Sequence, residues 1–121
     1  MVRPTLLAAA AILVFSGTAN AHPRLLSAIP AANTTVATPE HVELHFSEKL
    51  MPAFSAADLV MAAMPGMGAM KMPCTAKLGP DGETLIITPA TRLPAGRYLI
   101  NWHVVSTDTH KVAGRYAFVV K

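Results

Sequence analysis

The 121-residue sequence predicts an all-β fold, a small antiparallel sandwich or barrel. Three observations carry that expectation. Short runs rich in Val, Ile and Leu recur along the chain. Turns containing Pro and Gly separate them. Several runs alternate polar and apolar side chains, the period-two pattern of a strand with one buried face.

The first element is a leader. Arg3 precedes an apolar run from Leu6 to Phe15, and Ser16, Gly17 and Thr18 lead into Ala19-Asn20-Ala21. A basic start, a short apolar stretch and a small-residue A-x-A end describe a secretory signal peptide. The apolar run is far shorter than the ~20 residues that span a bilayer. Cleavage after Ala21 divides the chain into a signal peptide, residues 1–21, and a mature domain, His22–Lys121. It also gives His22 a free α-amine, so that amine and imidazole can chelate a metal together. Alone this is a weak signal, because any residue can follow a cleavage site.

The mature chain then reads as strands. Leu25–Ile29 ends at Pro30, and His41–Phe46 alternates cleanly. Asp58–Ala63 is a third strand and Thr75–Leu78 a weaker fourth, closed by the turn Gly79-Pro80-Asp81-Gly82. Thr84–Thr88 ends at Pro89. Arg97–Val105 places Tyr98, Ile100 and Trp102 on one face, with Leu99 and His103 on the other. Val112–Val120 closes the chain, and Pro52–Asp58 is the one stretch with helical character. A hundred-residue domain of this kind can bury a real core.

Charge excludes one class of function. Of ten Lys and Arg, Arg3 leaves with the leader, and seven Asp and Glu oppose the rest. That balance, without any basic run, does not suggest nucleic acid. No second apolar segment follows the leader, so the mature protein is expected to be soluble. Export implies an oxidising compartment. Cys74 is the single cysteine, so no internal disulfide can form.

Five of the seven methionines, Met61, Met64, Met67, Met70 and Met72, fall within twelve residues. Methionine is most often core filler. A helical stripe is opposed by Pro65-Gly66. A strand is opposed by the spacing of three, which sends successive side chains to opposite faces. The middle of the segment is therefore expected to be a loop. Soft thioethers select Cu(I) and do not protonate. Adaptive packing or a sticky partner surface is the alternative.

Ser106-Thr107-Asp108-Thr109-His110 joins the last two long strands. In extended chain, residues two apart point the same way, so Asp108 and His110 can face one metal. With the amine and imidazole of His22 they supply three nitrogens and one oxygen, a set that suits tetragonal Cu(II). Pro23 has no N–H, which excludes a chelate through the second backbone amide. The plain alternative is that Asp108 caps a turn and His110 is merely exposed.

Taken together, H-P-R-L-L-S-A-I-P, E-L-H-F-S-E-K-L, L-V-M-A-A-M-P-G-M, I-T-P-A and S-T-D-T-H resemble the CopC/PcoC family of periplasmic copper-resistance proteins, over essentially all of His22–Lys121. The resemblance implies a seven-stranded, cupredoxin-like Greek-key β-barrel. It implies Cu(II) at one end, on His22, Asp108 and His110, with Glu48 beside the ion as a weak ligand or supporting group. It implies Cu(I) at the other end, on Met61, Met64, Met67 and Met72. Some relatives carry a histidine where this sequence has Ala69, so either Met70 substitutes, giving an all-thioether site, or the site is weaker; Cys74 is the other candidate replacement but reads first as a small buried hydrophobe, and Met70 is favoured. His41 is expected at the surface, His45 in a structural role, and Trp102 in the core. His103 could support the D-x-H end.

The function implied is a copper carrier of the periplasm, not an enzyme, that hands copper to a CopD-type inner-membrane protein or another copper-handling partner. A copper mono-oxygenase with an N-terminal His brace is the main alternative. It calls for an open copper position and a flat aromatic surface, and this chain has one Trp and two Tyr. A purely structural adhesion module explains neither the methionines nor the brace.

Overall fold

The computed structural model describes residues 22–121. The predicted leader and its Ala21 cleavage boundary lie outside the described residues. Nine strands follow in order: β1 (Leu25–Ile29), β2 (Thr35–Val36), β3 (Val42–Phe46), β4 (Ala56–Met61), β5 (Met70–Met72), β6 (Cys74–Leu78), β7 (Thr84–Pro89), β8 (Gly96–Val105) and β9 (Lys111–Val120). β2 and β5 are two and three residues long, and each of the other seven has at least five. Those seven are the seven expected. The helical stretch reduces to one 3-10 turn at Pro52–Phe54.

The strands form two separate sheets, ordered β1-β3-β7-β6 and β2-β9-β8-β4-β5. The arrangement is therefore a sandwich and not a closed barrel. All pairings between long strands are antiparallel, and only the short β2 runs parallel to β9.

Alternation puts the core between the sheets. Val42, Leu44 and Phe46 of β3 meet Tyr98, Ile100, Trp102 and Val104 of β8, all buried. Tyr98 stacks on Phe118 with ring centroids 5.7 Å apart, and Phe46 meets Trp102 edge to face at 5.1 Å. Each fully buried side chain of this size contributes roughly 1.5–3 kcal/mol relative to exposure. Gly114 lies under Trp102, and any side chain there would collide with the indole.

Two departures from the sequence reading have clear causes. β4 begins at Ala56, not Asp58, because it pairs with β8 from Ala56↔His103 onward. β5 was not expected at all. The threefold methionine spacing argues against a strand, yet Met70 and Met72 are two apart and share a face. They pair with Met61 and Leu59 of β4.

The long strand β8 sets the distance between the two ends of the molecule. Its first residues lie beside the end of β4, with Met61 opposite Tyr98. Its last residue leads into Ser106. The ten residues of β8 span roughly 30 Å at about 3.3 Å per residue.

Candidate metal centres at the two ends

At the C-terminal end of β8 the chain turns through residues 106–110. The Ser106 N–H donates to the His110 carbonyl at 2.9 Å, and the Thr109 N–H to the Ser106 carbonyl at 2.8 Å. Thr109 sits at φ 74°, in the left-handed region. Asp108 and His110 do converge, but a tight turn brings them together, not the extended chain that the sequence suggested. The side chain of Ser106 completes the turn. Its hydroxyl donates to Asp108 Oδ1 and accepts from the His110 N–H at 3.2 Å.

His110 Nδ1 lies 3.0 Å from Asp108 Oδ2. The pair is within ion-pair range, and Nδ1 is a buried nitrogen facing that carboxylate oxygen. Two donors bound cis to one ion by bonds of about 2.0–2.1 Å stand about 2.9 Å apart. The observed spacing fits that arrangement. The hydrogen bond from Ser106, and secondarily the contact with His110, hold the Asp108 carboxyl below the usual carboxylate range. Asp108 is thus an anionic oxygen donor at neutral pH.

His22 comes to the same place from the other end of the chain. Its ring lies 4.6 Å from that of His110, centroid to centroid, tilted by 63°. Three contacts bring it there. Pro23 is buried. Arg24 and Ser47 exchange hydrogen bonds, with the Arg24 N–H on Ser47 Oγ at 2.9 Å and the Ser47 N–H on the Arg24 carbonyl at 2.9 Å. The segment after Ser47 is in turn tied to the D-x-H turn, through Leu50 bridged to Ser106 and the Thr107 N–H on the Lys49 carbonyl at 2.9 Å. Glu48 is half-buried within that segment.

No set of three His, Cys, Asp or Glu side chains among the described residues is drawn together tightly enough to hold an ion unaided.

The other histidines are elsewhere. His103 is exposed on the outer face of β8, opposite Ala113. His45 is a structural group, with Nδ1 3.1 Å from Thr84 Oγ1 and Nε2 3.4 Å from Glu43 Oε2. His41 is exposed and lies 3.3 Å from Glu43 Oε1. Trp102 is buried, as expected.

At the opposite end, residues 62–69 form the expected loop between β4 and β5. Its tip is a tight turn. Met64 and Met67 exchange two backbone hydrogen bonds of 2.8 Å each around Pro65-Gly66, with Gly66 at φ 82°. Pro followed by a positive-φ Gly is the sequence of a type II turn. Residues paired this way send their side chains to the same side, so two thioethers leave the hairpin together. Met64, Met67 and Met70 are exposed, at 38%, 46% and 46%.

The remaining candidates divide from these. Met61 is buried, its methyl pressed against Gly96, and Met72 packs on the core. Ala69 is exposed. Cys74 is half-buried against the core, its thiol 3.9 Å from the Ala57 carbonyl.

Sequence reasoning passed over Ser106 and Ser47. The signal for Ser106 was present: a small hydroxyl residue placed two before an Asp, where it can close an Asp-containing turn. Ser47 had no such signal, since its partner lies far off in sequence.

The CopC domain family matches residues 25–121. The copper resistance protein C of Pseudomonas syringae pv. tomato is 49% identical over 114 residues, which cover 93% of this chain and 90% of that protein. The Escherichia coli copper resistance protein C is 46% identical over 106 residues, 85% of this chain and 84% of that protein. The chain belongs to the CopC family. Solved CopC structures share its fold. The crystal structure of PcoC, a methionine-rich copper resistance protein of Escherichia coli, aligns with a TM-score of 0.78 at 42% identity, over 84% of this chain and all of that one (100%). CopC from Methylosinus trichosporium OB3b aligns with a TM-score of 0.70 at 30% identity, over 83% and 94% of the two chains.

Proposed function

We propose that this CopC protein is an exported, periplasmic copper-binding protein that sequesters or carries copper in resistance and homeostasis. It is a carrier and not an enzyme. The observation that carries the reading is the buried Nδ1 of His110, set 3.0 Å from an Asp108 oxygen with the His22 ring alongside. The names of its relatives, copper resistance protein C, point the same way.

Cu(II) is the cargo of this end. The His22 amine and imidazole, the His110 imidazole and Asp108 form a nitrogen-rich N/O set suited to a tetragonal ion. Glu48 supports the set from the neighbouring segment. Cu(I) is the cargo of the other end. There Met64 and Met67 leave one side of a turn, Met70 opens β5, and the buried Met61 and half-buried Met72 complete the set. Removal of the leader up to Ala21 creates the amine, so the Cu(II) end becomes complete only after export. A CopD-type inner-membrane protein is the partner that the family resemblance implies.

The test is a Cu(II) titration of the chain beginning at His22 against the same chain with one extra residue before it. Electron paramagnetic resonance should show one stable type-2 signal in the first and much weaker binding in the second. Equal binding by both removes the amine from the donor set. Sustained peroxide production on adding ascorbate favours the mono-oxygenase alternative.

A further inference from the structure

We propose that Ser106 is a positioning residue of the Cu(II) end, holding Asp108 and His110 in their metal-binding arrangement before the ion arrives. The proposal rests on the reading of that end given above and assigns a role to a residue that donates nothing to the ion itself.

Ser106 is 1% exposed, the most deeply buried polar residue among those described. A hydroxyl offers one donor and two acceptor positions. Here the donor goes to Asp108 Oδ1, and an acceptor position takes the His110 N–H. The backbone of Ser106 adds two further ties, its N–H on the His110 carbonyl and its carbonyl under the Thr109 N–H. One buried residue therefore touches both ligand-bearing residues and closes the turn between them.

The consequence for the carboxylate is directional. With Oδ1 engaged by the hydroxyl, Oδ2 is the oxygen left facing His110 Nδ1. A carboxylate free to rotate would present either oxygen in many orientations, and fixing it before binding removes that ordering from the binding step. Ser106 is itself held, because Leu50, 3% exposed, bridges to it and packs in the core. The rigidity of the sandwich thus reaches the two ligands through one side chain.

Ser106→Ala in the chain beginning at His22 should lower Cu(II) affinity by about ten- to a hundredfold, the range typical of groups that orient metal ligands. Its type-2 resonance parameters should shift, while Cu(I) affinity stays at the parental value. Ser106→Thr keeps the hydroxyl and should restore most of the Cu(II) affinity, and Ser106→Val, of similar shape without it, should not. His110→Ala is the control for the underlying reading. If His110→Ala leaves Cu(II) binding intact, the donor set is wrong. If His110→Ala removes binding but Ser106→Ala and Ser106→Val bind with parental affinity and an unchanged spectrum, the positioning role is wrong. The parental protein supplies a readout that needs no variant. In the copper-free chain the His110 amide should be protected from hydrogen exchange, and exchange at the rate of an open loop amide overturns the proposal.

Discussion

The two ends of β8 solve opposite problems with opposite means. At the end proposed for Cu(II), Asp108, His110 and the segment carrying His22 are tied down. Asp108 is held by a buried hydroxyl, His110 by two hydrogen bonds with Ser106, and His22 by a buried proline and a serine pair. At the methionine end, only the backbone is fixed, by the turn at Pro65-Gly66, and three thioethers project into solvent. A directional, nitrogen-rich site gains from preorganisation, since cis donors must already stand at the right spacing. Unbranched thioethers are flexible and polarizable, and can adapt around a soft ion without it. Rigidity in this molecule is spent where coordination geometry demands it.

The largest test of that contrast is His110→Ala. Loss of a nitrogen donor should weaken Cu(II) binding by more than about a hundredfold, beyond the range typical of outer-shell changes, and leave Cu(I) binding unchanged in competition titrations. Loss of both metals from a folded variant would merge the two ends into one site. Met64→Leu with Met67→Leu should do the reverse. Cu(I) affinity should fall strongly at a folding cost under about 1.5 kcal/mol per swap, because the change conserves volume, as urea titration can check.

Acid should separate the ends without any mutation. Amine and imidazole donors must shed protons to bind, so Cu(II) affinity should fall as the pH is lowered. Thioethers have no proton competitor, and Cu(I) should stay bound over the same range. Equal release of both ions from a protein still folded by circular dichroism would break the comparison.

A smaller acid effect concerns the fold. Asp81 accepts from the Thr84 hydroxyl at 2.7 Å and from the Glu83 and Thr84 N–H groups at 2.9 Å, and these bonds, the hydroxyl's foremost, hold its carboxyl below the usual carboxylate range. A carboxyl lowered in the folded state stabilises fully above the unfolded value and loses that contribution as pH falls through the folded one. Asp81→Asn should therefore be less stable than the parent at neutral pH, with the gap closing in thermal melts below pH 3.8. The smallest effect is expected for Cys74→Ser. The thiol is turned onto the core, away from the three exposed methionines, so Cu(I) affinity should not change. A loss equal to that of the double methionine variant would place a thiolate in the site.

Much of this was legible in the sequence, and the failures are instructive. Alternation in Val42–Phe46 and Tyr98–Val104 identified core faces correctly, because one buried face imposes a period of two. The convergence of Asp108 and His110 was legible as a pair, but its cause was not. A left-handed Thr109 and a buried Ser106 are consequences of the turn, and neither residue type signals them strongly. The division of the methionines was not legible either. Methionine serves equally as core filler and soft ligand, so composition cannot sort Met61 from Met64. Register does, by pairing Met61 opposite Tyr98 and leaving Met64 at a hairpin tip.

For the two sites proposed, the length of β8 governs how they fill. An ion arriving at one end adds positive charge whose influence decays over about 8 Å at physiological ionic strength. The other end is roughly 30 Å away along the strand, several decay lengths beyond reach. Two occupancies that cannot sense each other multiply as independent probabilities. Empty, singly loaded and doubly loaded molecules should then follow from two unlinked affinities, with a Hill coefficient of one for each metal.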